Sequence, residues 1–331
     1  MAERSSLHDK GGAASVTRPI PRVAGHWRWA WAVPLALTLC ATSPLRAAEA
    51  VFATPQAALS AFADALNTPN GQGLLTLFGP EHRDELLGGD PAAVRQGLAL
   101  LKAAAAQDLH LEAQGQDRAT IILGRQAWPM PIPLVRGEQG WRFDAAAGLE
   151  EIVDRRIGRN ELAAIEIARV YADAQEAYAS EDRDGDEVLE YAQKLTSTPG
   201  QRDGLYWQPG DDGEQSPLAS FAARAAEYLG YRREGEPYRG YRFRILTKQG
   251  ANPPGGAYDY VINGNMIAGF ALVAWPADYG HSGVMTFVVS HQGKLYEKDL
   301  GPDTAAIVEA MTRYDPDASW TEVPEEGEGS P

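Results

Sequence analysis

The chain has 331 residues, 44% of them hydrophobic and 23% charged, values of a globular protein long enough to bury two cores. Its formal net charge is −15; without the first fifty residues, which hold six Lys/Arg and three Asp/Glu, 24 basic residues face 42 acidic ones, a net −18. So acidic a body repels nucleic acid, which excludes that class of partner, and it disfavours anionic lipid surfaces while favouring neutral, cationic or metallic partners.

Residues 1–50 read as a signal peptide. Arg18, Arg22 and Arg28 precede an apolar run of 13 residues from Trp29 to Ala41, too short to span a bilayer, and Ala48-Glu49-Ala50 fits a small-residue cleavage pattern. Cys40, the only cysteine, would leave with that segment, with Leu39 too bulky for a lipoprotein site. A periplasmic or extracellular location follows, in a mature chain without disulfides and without a membrane span, held by core burial and, as a candidate, by metal.

From 51 to 154 the pattern predicts an α+β domain. Thr54 and Pro55 can cap a helix reaching Leu66, with Ala58, Leu59, Phe62 and Leu66 on one face. Shorter helices are expected at Gly73–Phe78 and Pro91–Ala105, and Glu81–Glu85 reads as a charged loop. Asp108–Gln114 alternates, and Arg118–Gly124 is rich in β-formers across a Gly115-Gln-Asp turn, so the two form a hairpin. Trp128–Arg136, with three prolines, suits an edge strand, and Gly140 turns into Trp141-Arg-Phe-Asp144.

From 155 to 323 a second α+β domain is expected, followed by a disordered tail at 324–331. A helix capped by Asn160 runs to Ala179, with Leu162, Ile165, Ala168, Tyr171 and Gln175 as one stripe, widened by Ile167, Val170, Ala174 and Tyr178. A long loop leads to a helix at Ser216–Tyr228. Strands follow at Tyr241–Leu246, Tyr258–Ile262 and Met266–Trp275, then a hairpin of Gly283–Val289 with Lys294–Lys298.

Three resemblances attach to these segments. Helices followed by a meander ending in Gly140-Trp-Arg-Phe-Asp144 are similar to the cone-shaped domains of the nuclear-transport-factor-two-like superfamily, which implies a pocket and, in some members, a His/Asp pair. The stretch from Gly240-Tyr-Arg-Phe243 through Phe270–Pro276 to Gly283–Tyr296 resembles the head of type II secretion pseudopilins. The charged Glu151–Arg159 replaces their apolar stem, so a self-inserting pilus subunit is excluded. The strings Asp182–Ala192, Asp203–Trp207, Gly250–Ile267 and Gly283–Ala305 resemble a bacterial secreted family known as domain of unknown function 2950, which implies no activity.

One constellation carries chemistry. Asp182, Asp184, Asp186 and Glu190 occupy positions 1, 3, 5 and 9 of a twelve-residue candidate calcium loop, with a short helical turn expected at Glu190–Leu195. Position 6 is Glu187 where a sharp turn favours glycine, and position 12 is Gln193 where a bidentate Glu is usual; the competing reading is a solvated acidic loop. His82, Asp84, Glu85 and His110 are candidate catalytic residues of a cone pocket, each more simply structural. His281 and Ser282, within Tyr279–Gly283, lack a nucleophile elbow and read as a turn. Tyr206, Trp207, Tyr258, Tyr260 and Trp275 read as core and rim packing, with a groove as the alternative. The expectation is therefore an exported, non-catalytic binding or scaffolding protein of the cell envelope, acting on an envelope protein or a small ligand. A periplasmic hydrolase and an accessory of a secretion machine are the alternatives.

Overall fold

A computed structural model describes residues 50–325, apart from 184, 209, 211 and 212. The expected signal segment before residue 50 and the last six residues of the expected tail lie outside the described residues, and so does Asp184.

The first helix, α1 (Pro55–Leu66), starts as its sequence dictates: the Thr54 hydroxyl accepts a 3.1 Å hydrogen bond from Ala57 N–H, and Pro55 fills the first turn. Then come α2 (Gln72–Phe78), α3 (Arg83–Leu87) and α4 (Pro91–Gln107), the last capped by Asp90. The expected Glu81–Glu85 loop is thus a 3-10 turn running into α3, because Arg156 gathers the carbonyls of Asp84, Glu85 and Gly88 and fixes that turn of helix. Strands β1 (Leu109–Ala113), β2 (Arg118–Leu123), β3 (Trp128–Pro129), β4 (Leu134–Gly137) and β5 (Gly140–Phe143) make an antiparallel sheet in the order β1-β2-β4-β5, with β3 on β2. Phe62, Phe78 and Phe143 meet at its centre, the last two edge to face at 5.1 Å.

The next helix, α5 (Ala145–Ala179), is 35 residues long and starts fifteen residues before the expected Asn160 cap. Ala145, Leu149 and Ile152 pack on the first core, so Glu151–Arg159 is helical, with the half-exposed Glu151 and Arg155 paired one turn apart. Asn160 is not a cap. It is buried mid-helix, and its Nδ2 donates to Ser282 O at 2.8 Å. The buried stripe beyond it is Ala164, Ala168, Tyr171, Gln175 and Tyr178, whereas Leu162, expected in the stripe, is 68% exposed.

The Ser216–Tyr228 helix is two short ones, α6 (Ala219–Arg224) and α7 (Ala226–Tyr231), broken at Ala225, whose φ −88° and ψ 0° depart from helical values. The remaining elements are β6 (Tyr241–Leu246), β7 (Lys248–Gln249), β8 (Tyr258–Asp259), β9 (Val261–Ile262), β10 (Asn265–Met266), β11 (Ala271–Pro276), β12 (Met285–Ser290), β13 (Leu295–Asp299), α8 (Thr304–Ala310) and β14 (Thr321–Glu322). The main sheet runs β14-β13-β12-β11-β6, all antiparallel, with β7–β8 and β9–β10 as separate ribbons. Helix α5 covers the sheet and α8 packs on β11. Tyr171, Tyr241, Tyr260, Phe270 and Phe287 are each at most 2% exposed in this second core. The fold is α+β, as expected. Among the described residues no helix is long and apolar enough to cross a membrane.

Two contacts tie the cores together beside α5. The Asp90 carboxylate, 1% exposed, takes hydrogen bonds from Ala92 and Ala93 N–H at its own helix start and from the Tyr228 hydroxyl and Gly240 N–H across the interface. Arg95 on α4 reaches Tyr231 O at 2.6 Å and pairs with Glu236. Residue 154, the expected domain boundary, falls inside α5.

Candidate functional site

A mostly apolar concavity lies where α5, α6, α7 and β6 meet, a groove of about 550 Å³. Ile167 and Val170 reach it from the flank of α5, next to the stripe that faces the core. Leu218, Phe221 and Leu229 form the opposite wall, and Phe243, Leu272 and Trp275 come up from the sheet. Phe221 is held by Tyr238, ring centroids 5.8 Å apart. Burial raises the Tyr238 phenol above its ordinary value, although Arg239 draws it down, so it stays neutral.

Two of the charged residues at the groove, Arg232 and Glu236, are already engaged. Arg232 donates to Pro237 O at 3.2 Å and to Glu236 O, and Glu236, its carboxyl lowered chiefly by the hydrogen bond from Arg95, closes the same loop. No His, Cys, Ser or Asp stands among the lining residues. One wall is the outer edge of β6, the last strand of its sheet. From the Tyr238–Tyr241 bridge to Thr247, which accepts from Tyr260 N–H, that edge has no strand partner among the described residues. Unpaired amides beside an apolar trough are the features to which an extended segment adds. Of the five aromatics singled out from the sequence, Tyr206 and Trp275 line the groove, Trp207 and Tyr260 are core, and Tyr258 packs edge to face on Tyr260. Phe221, Leu218 and Phe243 were not singled out. Their signal was the excess width of α5's apolar face, which one sheet cannot cover.

The acidic loop is a separate place. Asp182 accepts from Gly185 N–H at 2.8 Å and Glu187 N–H at 2.9 Å. Asp186 accepts from Val188 N–H and, at 2.6 Å, from Asn265 Nδ2, while Glu190 accepts from Met266 N–H at 3.1 Å. Among the described residues no three acidic or histidine side chains gather as a metal centre would need. The expected helical turn at Glu190–Leu195 is instead irregular, with bends at Gln193 and Leu195, because Tyr191 bridges Met266 and docks against Phe270 at 4.8 Å. Glu187 takes the turn that glycine would favour, with φ 68°.

The catalytic candidates are scattered. His110 lies 2.9 Å from Asp108 with half of each side chain exposed, and neither lines a cavity described above. His82 stands 3.9 Å from Glu85. Ser282 is fully buried and its hydroxyl is spent on the backbone of Asp278, which closes the turn.

No curated protein and no solved structure matches the chain. A family model does, over residues 49–323, a span that takes in both cores, the groove and the acidic loop. The chain belongs to the family described as protein of unknown function DUF2950.

Proposed function

We propose that this chain is an exported, non-catalytic binding module of the cell envelope, whose partner lays an extended apolar segment in the groove against β6. The observation that carries it is the pairing of a mostly apolar trough with an unpaired strand edge. Main-chain pairing would supply affinity, and pockets beside Phe221 and Trp275 would select side chains. The hydrolase alternative draws less support, since the His110–Asp108 pair is half exposed and lines neither the groove nor the cavity of the first core. Export rests on Trp29–Ala50 and is tested by the mass of the mature N-terminus recovered from the envelope.

A photo-crosslinking side chain placed at Phe221 in the intact envelope should give a discrete adduct, and one at the exposed Ile307 on α8, which does not line the groove, should not. Equal labelling from both positions, or none from Phe221, sinks the binding reading. An adduct with a secretion-machine component would place the chain as an accessory.

The proposal extends to calcium at the acidic loop, where Asp182, Asp184, Asp186 and Glu190 crowd charge that a hard cation would neutralise. Each described carboxylate is turned to an amide, so a cation would draw on the oxygen lone pairs those hydrogen bonds leave over.

A further inference from the structure

A second cavity, of about 340 Å³, opens in the first core between the helices and the sheet. Its apolar walls come from five places in the chain: Phe78 on α2, Leu86 on α3, Leu98 and Leu101 on α4, Met130 after β3, and Ile152 on α5. Trp128, 42% exposed, also lines it. At Gly97, in the middle of α4 and also lining the cavity, an added Cβ would meet nothing within 4 Å. A glycine inside a helix costs about 1 kcal/mol against alanine. Here Gly97 is exposed, and its missing side chain leaves the rim of the cavity open.

The sign of charge at this cavity opposes that of the chain. In a protein of net charge −15, Arg155, Arg156 and Arg159 line the cavity together within two turns of α5. The one acidic side chain on the lining is Asp90, whose two oxygens are filled by Ala92, Ala93, Tyr228 and Gly240. Arg156 is committed to the carbonyls of Asp84, Glu85 and Gly88, and Arg155 is paired with Glu151. Arg159 makes no ion pair among the described residues. Burial lowers the Arg156 guanidinium below its ordinary value, and Arg159 lowers it further, while Asp278 and Glu85 act the other way. Arg159, exposed beside the cavity, is left to hold an anion that enters it.

We infer that this cavity binds a single-chain amphiphile with an anionic head, of the fatty-carboxylate class, its alkyl tail among Phe78, Leu98, Leu101 and Met130 and its carboxylate at Arg155 and Arg159. A tail in the apolar part and a head at the guanidinium groups satisfy both surfaces at once, which neither a neutral alcohol nor a small anion does. This inference is independent of the β6 groove.

The test is calorimetric titration of the full-length protein with dodecanoate and dodecyltrimethylammonium, each kept below its micellar concentration, and with dodecanol kept below its solubility limit. Dodecanoate should bind saturably and about tenfold or more tightly than dodecanol, because a charge-assisted hydrogen bond is lost in the alcohol. The cationic amphiphile should bind weakest. Gly97→Leu should fill the space and abolish dodecanoate binding while keeping the melting temperature, since leucine is the better helix former. Arg155→Gln with Arg159→Gln should bring the dodecanoate-to-dodecanol ratio close to one, which loss of packing alone would not do. Equal affinity for acid and alcohol, no saturable binding, or unaltered binding in Gly97→Leu would overturn the inference.

Discussion

The Asp90 carboxylate accepts a 2.8 Å hydrogen bond from the backbone N–H of Gly240, 150 residues away, with both groups shut off from water. The same oxygen takes the Tyr228 hydroxyl at 2.9 Å, while the other oxygen caps α4. Asp90→Ala therefore removes a helix cap, leaves the buried Gly240 N–H unmatched and leaves the Tyr228 hydroxyl only its 3.4 Å contact with Pro237 O, a combined cost of about 3 kcal/mol. Asp90→Asn keeps one acceptor and should cost roughly half as much. Urea denaturation of the two variants measures the difference, and equal losses would contradict this account.

Arg183 supplies a second check. Its side chain is 9% exposed and its guanidinium carbon lies 5.5 Å from the ring centroids of both Tyr178 and Trp207, while Nη1 pairs with Glu214 at 2.6 Å. Arg183→Lys preserves the charge but not the flat fork between two rings. It should lower stability by about 1–2 kcal/mol and alter the fluorescence of Trp207. A lysine variant as stable as the parent would assign the interaction to charge alone.

Stability should fall on the acid side through His291. The imidazole sits between Tyr260 and Phe270, and burial, its largest influence, lowers its pKa, only partly countered by Phe270 and Glu176. A base held neutral in the folded state contributes stability that is complete above its unfolded value of about 6.5 and declines as pH drops through the lower folded value. His291→Gln should flatten that decline between pH 7 and 5 in a series of urea midpoints. The close approach of Gly269, where a Cβ would sit 2.6 Å from His291 Nδ1 at φ 140°, predicts that Gly269→Ala costs more than the usual surface change of about 0.5 kcal/mol.

On the alkaline side the tyrosines take over. Burial pushes Tyr314 up to about 12 and raises Tyr171, Tyr228, Tyr241 and Tyr260 as well. An acid whose folded pKa is raised lends stability that is whole below the unfolded value of about 10 and vanishes as pH climbs through the folded ones. In a spectrophotometric titration this group should ionise together with unfolding, after the exposed phenols. Smooth ionisation of all thirteen tyrosines near pH 10 would show the core to be open.

Calcium is checked by melting the protein with the ion and with a chelator. Binding at a hundred times the dissociation constant adds about 2.7 kcal/mol, so a rise of several degrees is expected. An unchanged midpoint would show that the amide hydrogen bonds of Asp182, Asp186 and Glu190 are all that closes the loop.

What could be read from the sequence was governed by range. Thr54 with Pro55, the 109–123 hairpin and β6 at Tyr241–Leu246 depend on neighbours a few residues away, and their patterns stood out. The start of α5 was hidden because Glu151–Arg159 has the composition of a linker. It is helical because Ile152 and Arg156 have partners in the first core, which no local window contains. The groove was half visible: Tyr206 and Trp275 could be named, but Ile167 and Val170 were taken as buried, since periodicity marks an apolar face without saying what covers it. The acidic spacing was plain, whereas the partners of those carboxylates, Asn265 and Met266, lie nearly eighty residues downstream.

Helix α5 is one unbroken screw through both cores, with Leu149 and Ile152 gripped at one end and Ala164 and Ala168 at the other. Each residue added to or removed from the charged stretch between those grips would turn one end against the other by about 100° and slide it about 1.5 Å. The Asp90–Gly240 and Asn160–Ser282 fastenings could not follow such a turn. Beyond the roles of Ile152 and Arg156, that segment carries a constraint on the number of its residues, so divergent members of the family should conserve its length.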